Sequence, residues 1–191
     1  MLGKLIADYV NESCKAPGNA FTPSFYSDHI LVVSRYADTL AGILGADREI
    51  VLYASYLHDI SAVHDISTLP VHNVRSAEMA TELLASHGYD IDRTKMVSGC
   101  IKNHMTPLPI GSATPEEICL SNADAISQIV VPSFWLYFMY SVRKQSYQDG
   151  KIWLQKKIDS NWNSLIEPAR ELIEEKYNII SRALSDEIYM L

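Results

Sequence analysis

Two residues that could bind a metal ion, His58 and Asp59, stand side by side after an apolar run in the first half of the chain. His58 shares a helical stripe with Ile50, Ala54 and Leu57, and this stripe should face the core. Imidazole nitrogen suits transition metals, and a carboxylate suits harder ions and can bridge two of them. The alternative is a helix end, where His58 is favoured by the dipole and Asp59 accepts a backbone N–H.

Further candidate ligands lie on other apolar faces. His29 is on the apolar face of a helix that Ser27 is predicted to cap. Asp124 lies in the middle of an apolar helix, where a bare buried carboxylate is costly, so it must be solvated, paired or ligating. His104 is on an apolar face near a helix end, and His72 precedes a helix. The alternatives for these two are a C-terminal His favoured by the helix dipole and a simple N-cap.

Helices must position these side chains, because apolar residues recur at i, i+3 and i+4 and no β-type alternation of useful length occurs. The sequence at 114–117, Thr-Pro-Glu-Glu, predicts a capping box that begins the Asp124 helix. Residues 60–71 have no clear period and are predicted to be a loop, which holds a weaker second pair, His64-Asp65. We predict an all-α fold of about eight to ten helices.

The order His29, then His58-Asp59, then Asp124 resembles the H…HD…D signature of the HD-domain metal-dependent phosphohydrolase superfamily. The sequence around each element resembles that of the family as well. The resemblance implies that these four residues ligate one divalent metal, with His58 and Asp59 as the catalytic pair. Such a site keeps open positions for water and a phosphate oxygen, lowers the pKa of the water and polarises the phosphorus–oxygen bond.

Some members of the superfamily hold a second metal through two more histidines, and here His72 and His104 look like those positions. Asp59 would then bridge two ions, with a metal-activated hydroxide as nucleophile. We expect divalent ions, two rather than one, with iron or manganese first and cobalt, nickel, zinc or magnesium as alternatives. Several mononuclear nucleotidase members carry a Glu a few residues after the doublet, whereas this chain has Ile-Ser-Ala-Val at 60–63, which weakens that subgroup.

The resemblance implies hydrolysis of a phosphate ester or phosphoanhydride of a small molecule, with a nucleotide as one candidate. Arg75 and Lys102 are predicted to bind substrate because they are close in sequence to His72 and His104, although each could be a solvated surface charge. One rival is an HD-type mixed-valence di-iron oxygenase, which uses the same six ligands. A second is a non-catalytic nucleotide-binding regulatory module, and a third is a helical scaffold with chance histidines.

Composition limits the other possibilities. The net charge is −7, hydrophobic residues make up 48% and charged residues 20%, and no basic run occurs, which argues against binding a nucleic-acid polymer. Three cysteines without a C-x-x-C motif indicate reduced thiols, and the N-terminus does not resemble a signal peptide, so we expect a cytoplasmic protein. The longest apolar stretch, 129–140, is too short to span a bilayer.

We expect one HD-type domain over residues 1–191, with the motifs in about 25–130 and C-terminal helices from 131–191 packed on them. The aromatic residues at 134–140 could form a wall for base stacking, but a helix this apolar is more often a core helix or the interface of a homodimer, and we expect that.

Overall fold

The computed structural model describes residues 1–105, 108 and 111–185. Over these residues the chain is helical without strands, so the all-α prediction is confirmed. The eight longer helices are α1 (Leu2–Lys15), α2 (Leu31–Leu44), α3 (Arg48–Leu57), α5 (His72–Ser86), α6 (Ile91–Asn103), α7 (Pro115–Val130), α9 (Tyr147–Ser164) and α11 (Glu174–Leu184). The short elements are α4 (Ile60–His64), α8 (Pro132–Tyr137), α10 (Glu167–Glu171), π-helical turns at Tyr26–Ile30 and Phe138–Val142, and a 3₁₀ turn at Ile66–Val71.

Polar side chains fix the starts of the two helices that carry central site residues. The Asp47 carboxylate caps α3 by accepting hydrogen bonds from Glu49 N and Ile50 N. The predicted capping box of α7 is present, with reciprocal bonds between Thr114 and Glu117. The carboxylate of Glu116 accepts the backbone N–H of Asp47 at 2.9 Å, so the beginnings of α3 and α7 are joined directly.

Two local predictions were wrong. Ser27 does not cap a helix, because the chain is already helical at Phe25 and Ser27 lies inside the π-helical turn. Residues 60–71 are not an irregular loop but α4 followed by the 3₁₀ turn, whose start is capped by Asp65. Both errors concern short elements, which depend on packing against neighbours more than on a sequence period.

Helix α7 is the central element of the core. Eleven of its sixteen residues are buried, and it packs against α2, α3, α6 and α9. An ordinary surface helix buries only one stripe, so α7 must be covered on most sides. Its apolar residues Leu120, Ile126 and Ile129 are fully buried, whereas Asp124, Ser127 and Gln128 form the polar side that faces the candidate site.

The C-terminal elements close the other side of α7. After α8 and its π-helical turn, Ser146 caps α9, which returns along α7. Within the described ranges, no single helix has the length and apolar composition to cross a membrane. The pair Pro115–Val130 and Pro132–Val142 reaches that length and composition only together, across a bend of 77°.

Candidate metal centre

Four histidine rings from four different parts of the chain meet in the interior. His29 lies in the first π-helical turn, His58 directly follows α3, His72 begins α5 and His104 directly follows α6. The rings form two pairs, with Nε2 of His29 3.1 Å from Nε2 of His58 and Nε2 of His72 3.1 Å from Nε2 of His104. His29, His58 and His104 are buried, and His72 is nearly so.

The carboxylate of Asp59 lies between these two pairs. Its Oδ2 is 3.2 Å from Nε2 of His29 and 3.3 Å from Nε2 of His58. Its Oδ1 is 3.2 Å from Nε2 of His72 and 4.0 Å from Nε2 of His104. On the first side only, Oδ1 of Asp124 adds a second carboxylate, 3.4 Å from Nε2 of His29. The geometry therefore defines two groups of donor atoms that share Asp59.

The outer nitrogens of three rings are bonded to the backbone. In each case Nδ1 lies within hydrogen-bond distance of the carbonyl oxygen three residues earlier: His58 to Ser55 at 2.8 Å, His72 to Leu69 at 2.7 Å and His104 to Ile101 at 2.6 Å. Because a carbonyl oxygen only accepts, each Nδ1 must carry a hydrogen and donate it. A neutral ring then presents the lone pair of Nε2 to the centre of the cluster.

The fourth ring is fixed by a side chain of α7. Nδ1 of His29 is 2.9 Å from Oγ of Ser127, whose single hydrogen is donated to the carbonyl oxygen of Asp124 at 2.8 Å. Ser127 Oγ must therefore accept from His29, so His29 also directs the lone pair of Nε2 inward when neutral. Neither the role of Ser127 nor its contact with His29 was predicted, although its position three residues after Asp124 was a usable signal.

The donor atoms fit divalent metal ions. Inward-facing lone pairs on neutral imidazoles repel one another unless a cation or a proton lies between them, and two carboxylates add negative charge to the same space. A set of four imidazole nitrogens and two carboxylates suits first-row transition metals, whereas Mg²⁺ prefers an oxygen shell. The described residues thus contain two groups that could each hold a metal, one of His29, His58 and Asp59 and one of Asp59, His72 and His104.

The charges within the cluster shift the pKa values of its members. Burial by itself lowers the pKa of His58, but the adjacent Asp59 carboxylate outweighs burial and raises that pKa to about 9. Burial would raise the pKa of Asp59, yet His58 and His72 hold it well below its usual range. Burial and the charge on His58 lower the pKa of His104 to about 4. A metal that binds beside His58 at neutral pH must therefore displace a proton.

The backbone around the doublet turns both side chains inward. Helix α3 ends at Leu57, and Asp59 takes φ −111° and ψ 7°, a sparsely populated region that separates α3 from α4. On the opposite side, Asn73 donates from Nδ2 to the carbonyl oxygen of Lys102 at 2.7 Å. This bond joins the beginning of α5 to the end of α6 and therefore holds His72 and His104 together.

An amide relay fixes the orientation of Asp124. Nε2 of Gln128, one turn further along α7, donates to both carboxylate oxygens of Asp124 at 3.0 and 2.9 Å. Oε1 of Gln128 in turn accepts from Nδ2 of Asn161 on α9 at 3.0 Å. Gln128 and Asn161 are buried, so water reaches this chain of contacts only from the cavity that both residues line. Sequence reasoning missed both residues, although the i, i+4 spacing of Asp124 and Gln128 pointed to the first.

A cavity of about 260 Å³ opens onto the cluster. Asp59, His72, His104 and Asp124 form its polar floor. The opposite wall comes from the segment after α7 and contains aromatic, cationic and amide side chains, namely Trp135, Phe138, Arg143, Trp153, Lys157 and Asn161. The cavity therefore brings together the candidate metal ligands and a set of side chains suited to binding a small anionic molecule.

The other sequence candidates lie outside this cavity. Arg75 is exposed and pairs with Glu78 at 2.9 Å, and Lys102 is exposed in the last turn of α6. Substrate binding by these two residues stays a prediction without a contact to support it. His64 is exposed as well and contacts Oγ of Ser13 at 3.1 Å, away from the cluster.

The arrangement of a His-Asp doublet among helices, with further ligands before and after it, is that of the HD domain. The family model for the HD domain matches residues 26–129, which is more than half of the chain, so the chain belongs to this family. All six clustered side chains lie within the matched residues. The resemblance seen in the sequence is thereby confirmed. A search among curated proteins finds no match.

Solved structures with the same fold cover nearly the whole chain. A predicted HD superfamily hydrolase from an uncultured Thermotogales bacterium is 24% identical, with a TM-score of 0.57, over 90% of this chain and 91% of that one. Bacillus subtilis YpgQ is 16% identical, with a TM-score of 0.68, over 96% and 94%. YpgQ in complex with ADP aligns at 18% identity and a TM-score of 0.68 over 93% of each chain. At these identities the likeness establishes the fold, which extends beyond the matched HD residues.

Proposed function

We propose that the chain is a metal-dependent hydrolase that acts on a phosphate ester or phosphoanhydride of a small molecule. The observation that supports this most directly is the convergence of four Nε2 atoms in two pairs with the Asp59 carboxylate between them. His29, His58, Asp59 and Asp124 would hold one divalent ion, and Asp59, His72 and His104 a second. When bound, the ions supply an activated water nucleophile and positive charge for the phosphoryl oxygens.

The residues of the chain have separate tasks in this proposal. His58 and Asp59 place donor atoms at the point where the two groups meet, and the contact of His58 Nδ1 with the carbonyl oxygen of Ser55 keeps that ring in one orientation. The buried helices behind them exclude water from all but the cavity side. In such an enclosed site, charges act on a substrate more strongly than they would in bulk water.

A nucleotide is the first substrate class to test, because ADP is the ligand in one YpgQ structure of the same fold. The protein should be purified, its metal content measured, and phosphate release followed with mono-, di- and triphosphate nucleotides and simple phosphate esters. Each assay is repeated with manganese, iron, cobalt and magnesium. We expect release from at least one substrate, with a transition metal more effective than magnesium because of the four imidazoles.

Two other outcomes would replace the proposal. Bound iron with substrate-dependent uptake of O₂ and no phosphate release would indicate an HD-type di-iron oxygenase. Tight nucleotide binding without turnover for every metal would indicate a regulatory module. A cytoplasmic location and a homodimer stay predictions that fractionation and light scattering can test.

A further inference from the structure

One face of α9 lies along the cavity and is polar where a packed helix would be apolar. Trp153, Lys157 and Asn161 follow one another at i, i+4 and i+8, so they project from the same side of the helix, and all three line the cavity. Leu154 and Ile158, one residue after the first two, are buried in the core instead. Helix α9 therefore packs its hydrophobic stripe on α7 and presents a cation to the cavity.

A second cation reaches the same cavity from the preceding turn. Arg143 directly follows the second π-helical turn, where its backbone N–H is bonded to the carbonyl oxygen of Phe138 at 2.9 Å. Its guanidinium lies over the ring of Phe138, with 5.6 Å from Cζ to the ring centroid. Phe138 is buried and lines the cavity, so this stacking holds the guanidinium near the cavity wall.

Neither of these two cations has a carboxylate partner among the residues that the structure describes. Pairing alone does not distinguish them, since the exposed Lys102 and Lys156 also have no such partner among the same residues. Six other basic side chains are paired with neighbouring carboxylates: Lys4, Lys15, Arg48, Arg75, Arg93 and Lys95. An unpaired cation that is half-buried, as Lys157 is, loses hydration without the compensation that an ion pair gives. A bound anion would supply that compensation.

From this geometry we infer that Lys157 and Arg143 form an anion subsite that binds a second phosphate group of the substrate. The inference rests on the proposed function, since the first phosphate would lie at the metal centre. Two divalent ions exceed the charge of Asp59 and Asp124 by two units, which one phosphate group can balance. Lys157 and Arg143 add two more positive charges, so the cavity as a whole matches a diphosphate better than a single phosphate.

The test measures binding of methylenediphosphonate, whose P–C–P bridge resists hydrolysis, by calorimetry on the manganese-loaded protein. Lys157→Met is compared with Lys156→Met, which removes an exposed lysine from the adjacent position of the same helix. We expect Lys157→Met to weaken binding about 10–100-fold, the cost of one charge-assisted hydrogen bond, with unchanged metal content. Inorganic phosphate should bind the parent and Lys157→Met almost equally. Lys157→Arg should restore most of the diphosphonate affinity.

The inference is overturned if Lys157→Met binds methylenediphosphonate like the parent, or if Lys156→Met weakens binding by the same factor. Should Lys157→Met lose its fold or its metal, Arg143→Gln gives the same comparison from the other side of the cavity. A parent that hydrolyses phosphate compounds while both variants bind normally would remove only the subsite. A parent that neither binds the diphosphonate nor releases phosphate from any substrate would remove the proposed function too.

Discussion

Two regions of the chain provide the polar lining of the cavity, and they differ in how their polar side chains are held. Residues 26–129, matched by the HD family, provide six side chains whose donor atoms face one another, and all of them except Asp59 are also bonded to the surrounding protein. Residues 131–185 provide an aromatic and cationic wall in which Arg143 and Lys157 have no carboxylate partner among the described residues. Metal binding and recognition of the rest of the substrate should therefore be separable by mutation, one region at a time.

Asp59→Asn should have the largest effect, because one carboxylate serves both groups of donor atoms. Removal of an outer contact of a metal ligand typically costs about 10–100-fold in affinity, so the loss of a shared ligand should exceed about 100-fold. We expect the purified variant to lose both metals, as measured by elemental analysis, and to lose phosphate release with them.

The matched control for this variant is Asp65→Asn, which changes the other His-Asp pair. Asp65 is exposed and accepts from the backbone N–H and the side chain of Ser67, bonds that an asparagine oxygen can also accept. The control should keep the metal content of the parent. Equal metal content in Asp59→Asn and the parent would contradict the assignment of the centre.

The second-largest effect is the pH dependence of metal affinity, which also arises from a residue of the first region, His58. Because the pKa of His58 is raised to about 9, a metal must displace its proton at any lower pH. Apparent metal affinity should therefore rise with pH by about tenfold per unit between pH 7 and 9, and level off above that range. The pKa of His104 is lowered to about 4, so this ring is already neutral and adds no slope.

Calorimetry in two buffers with different ionisation enthalpies measures the proton released. About one proton should leave at pH 7 when the His29–His58 group is filled. Apparent metal affinity should rise with pH by the same factor in Lys157→Met, because the second region contains none of the candidate metal ligands. A pH-independent affinity from 7 to 9 would show that His58 is already neutral.

The sequence was sufficient for the fold class, which depends on short-range patterns, and the resemblance to the HD family then selected the six candidate ligands. His58 and Asp59 are adjacent, and the apolar stripes place His29, His104 and Asp124 on inward faces without knowledge of the partner helices. The two wrong local predictions, for Ser27 and residues 60–71, concern segments that short-range patterns do not determine. Their conformation depends on contacts such as the bond from Ser61 N to Ser76 Oγ, fifteen residues away.

The cationic side chains of the second region could not be predicted, because their position also depends on contacts between residues that are distant in sequence. Arg75 and Lys102 were chosen because they are near His72 and His104 in sequence, yet helical direction turns them to the surface. Lys157 reaches the cavity only because α9 folds back along α7, and Arg143 reaches it from the segment between the second π-helical turn and α9. No pattern within α9 distinguishes Lys157 from Lys156 until that packing is known.

The third effect tests the link between the regions, the relay from Asn161 through Gln128 to Asp124. Gln128→Met keeps the length of the side chain and removes the donor to both oxygens of Asp124. We expect about tenfold weaker metal binding at the His29–His58 group, with the His72–His104 group unaffected. Gln148→Met, an exposed glutamine on α9, is the control.

Asn161→Ala should reproduce part of this loss, because Asn161 contacts Asp124 through Gln128. The double variant should then be no weaker in metal binding than Gln128→Met alone, a non-additive result that residues in one hydrogen-bond chain give. Additive losses would mean that Asn161 affects the centre by another route, such as the packing of α9.

The smallest effect is expected for Arg75 and Lys102, the two residues that the sequence analysis predicted to bind substrate. Arg75→Gln removes a charge that is exposed and paired with Glu78, and such surface pairs contribute about 0–1 kcal/mol. Lys102→Met removes an exposed amine, whereas the part of Lys102 that holds the site, its carbonyl oxygen, is retained. Both variants should therefore change KM for phosphate release by less than about threefold, against a larger rise for Lys157→Met. A rise in KM for Lys102→Met that equals the rise for Lys157→Met would mean that the substrate extends over the α5–α6 side of the centre, and the division between the two regions would fail.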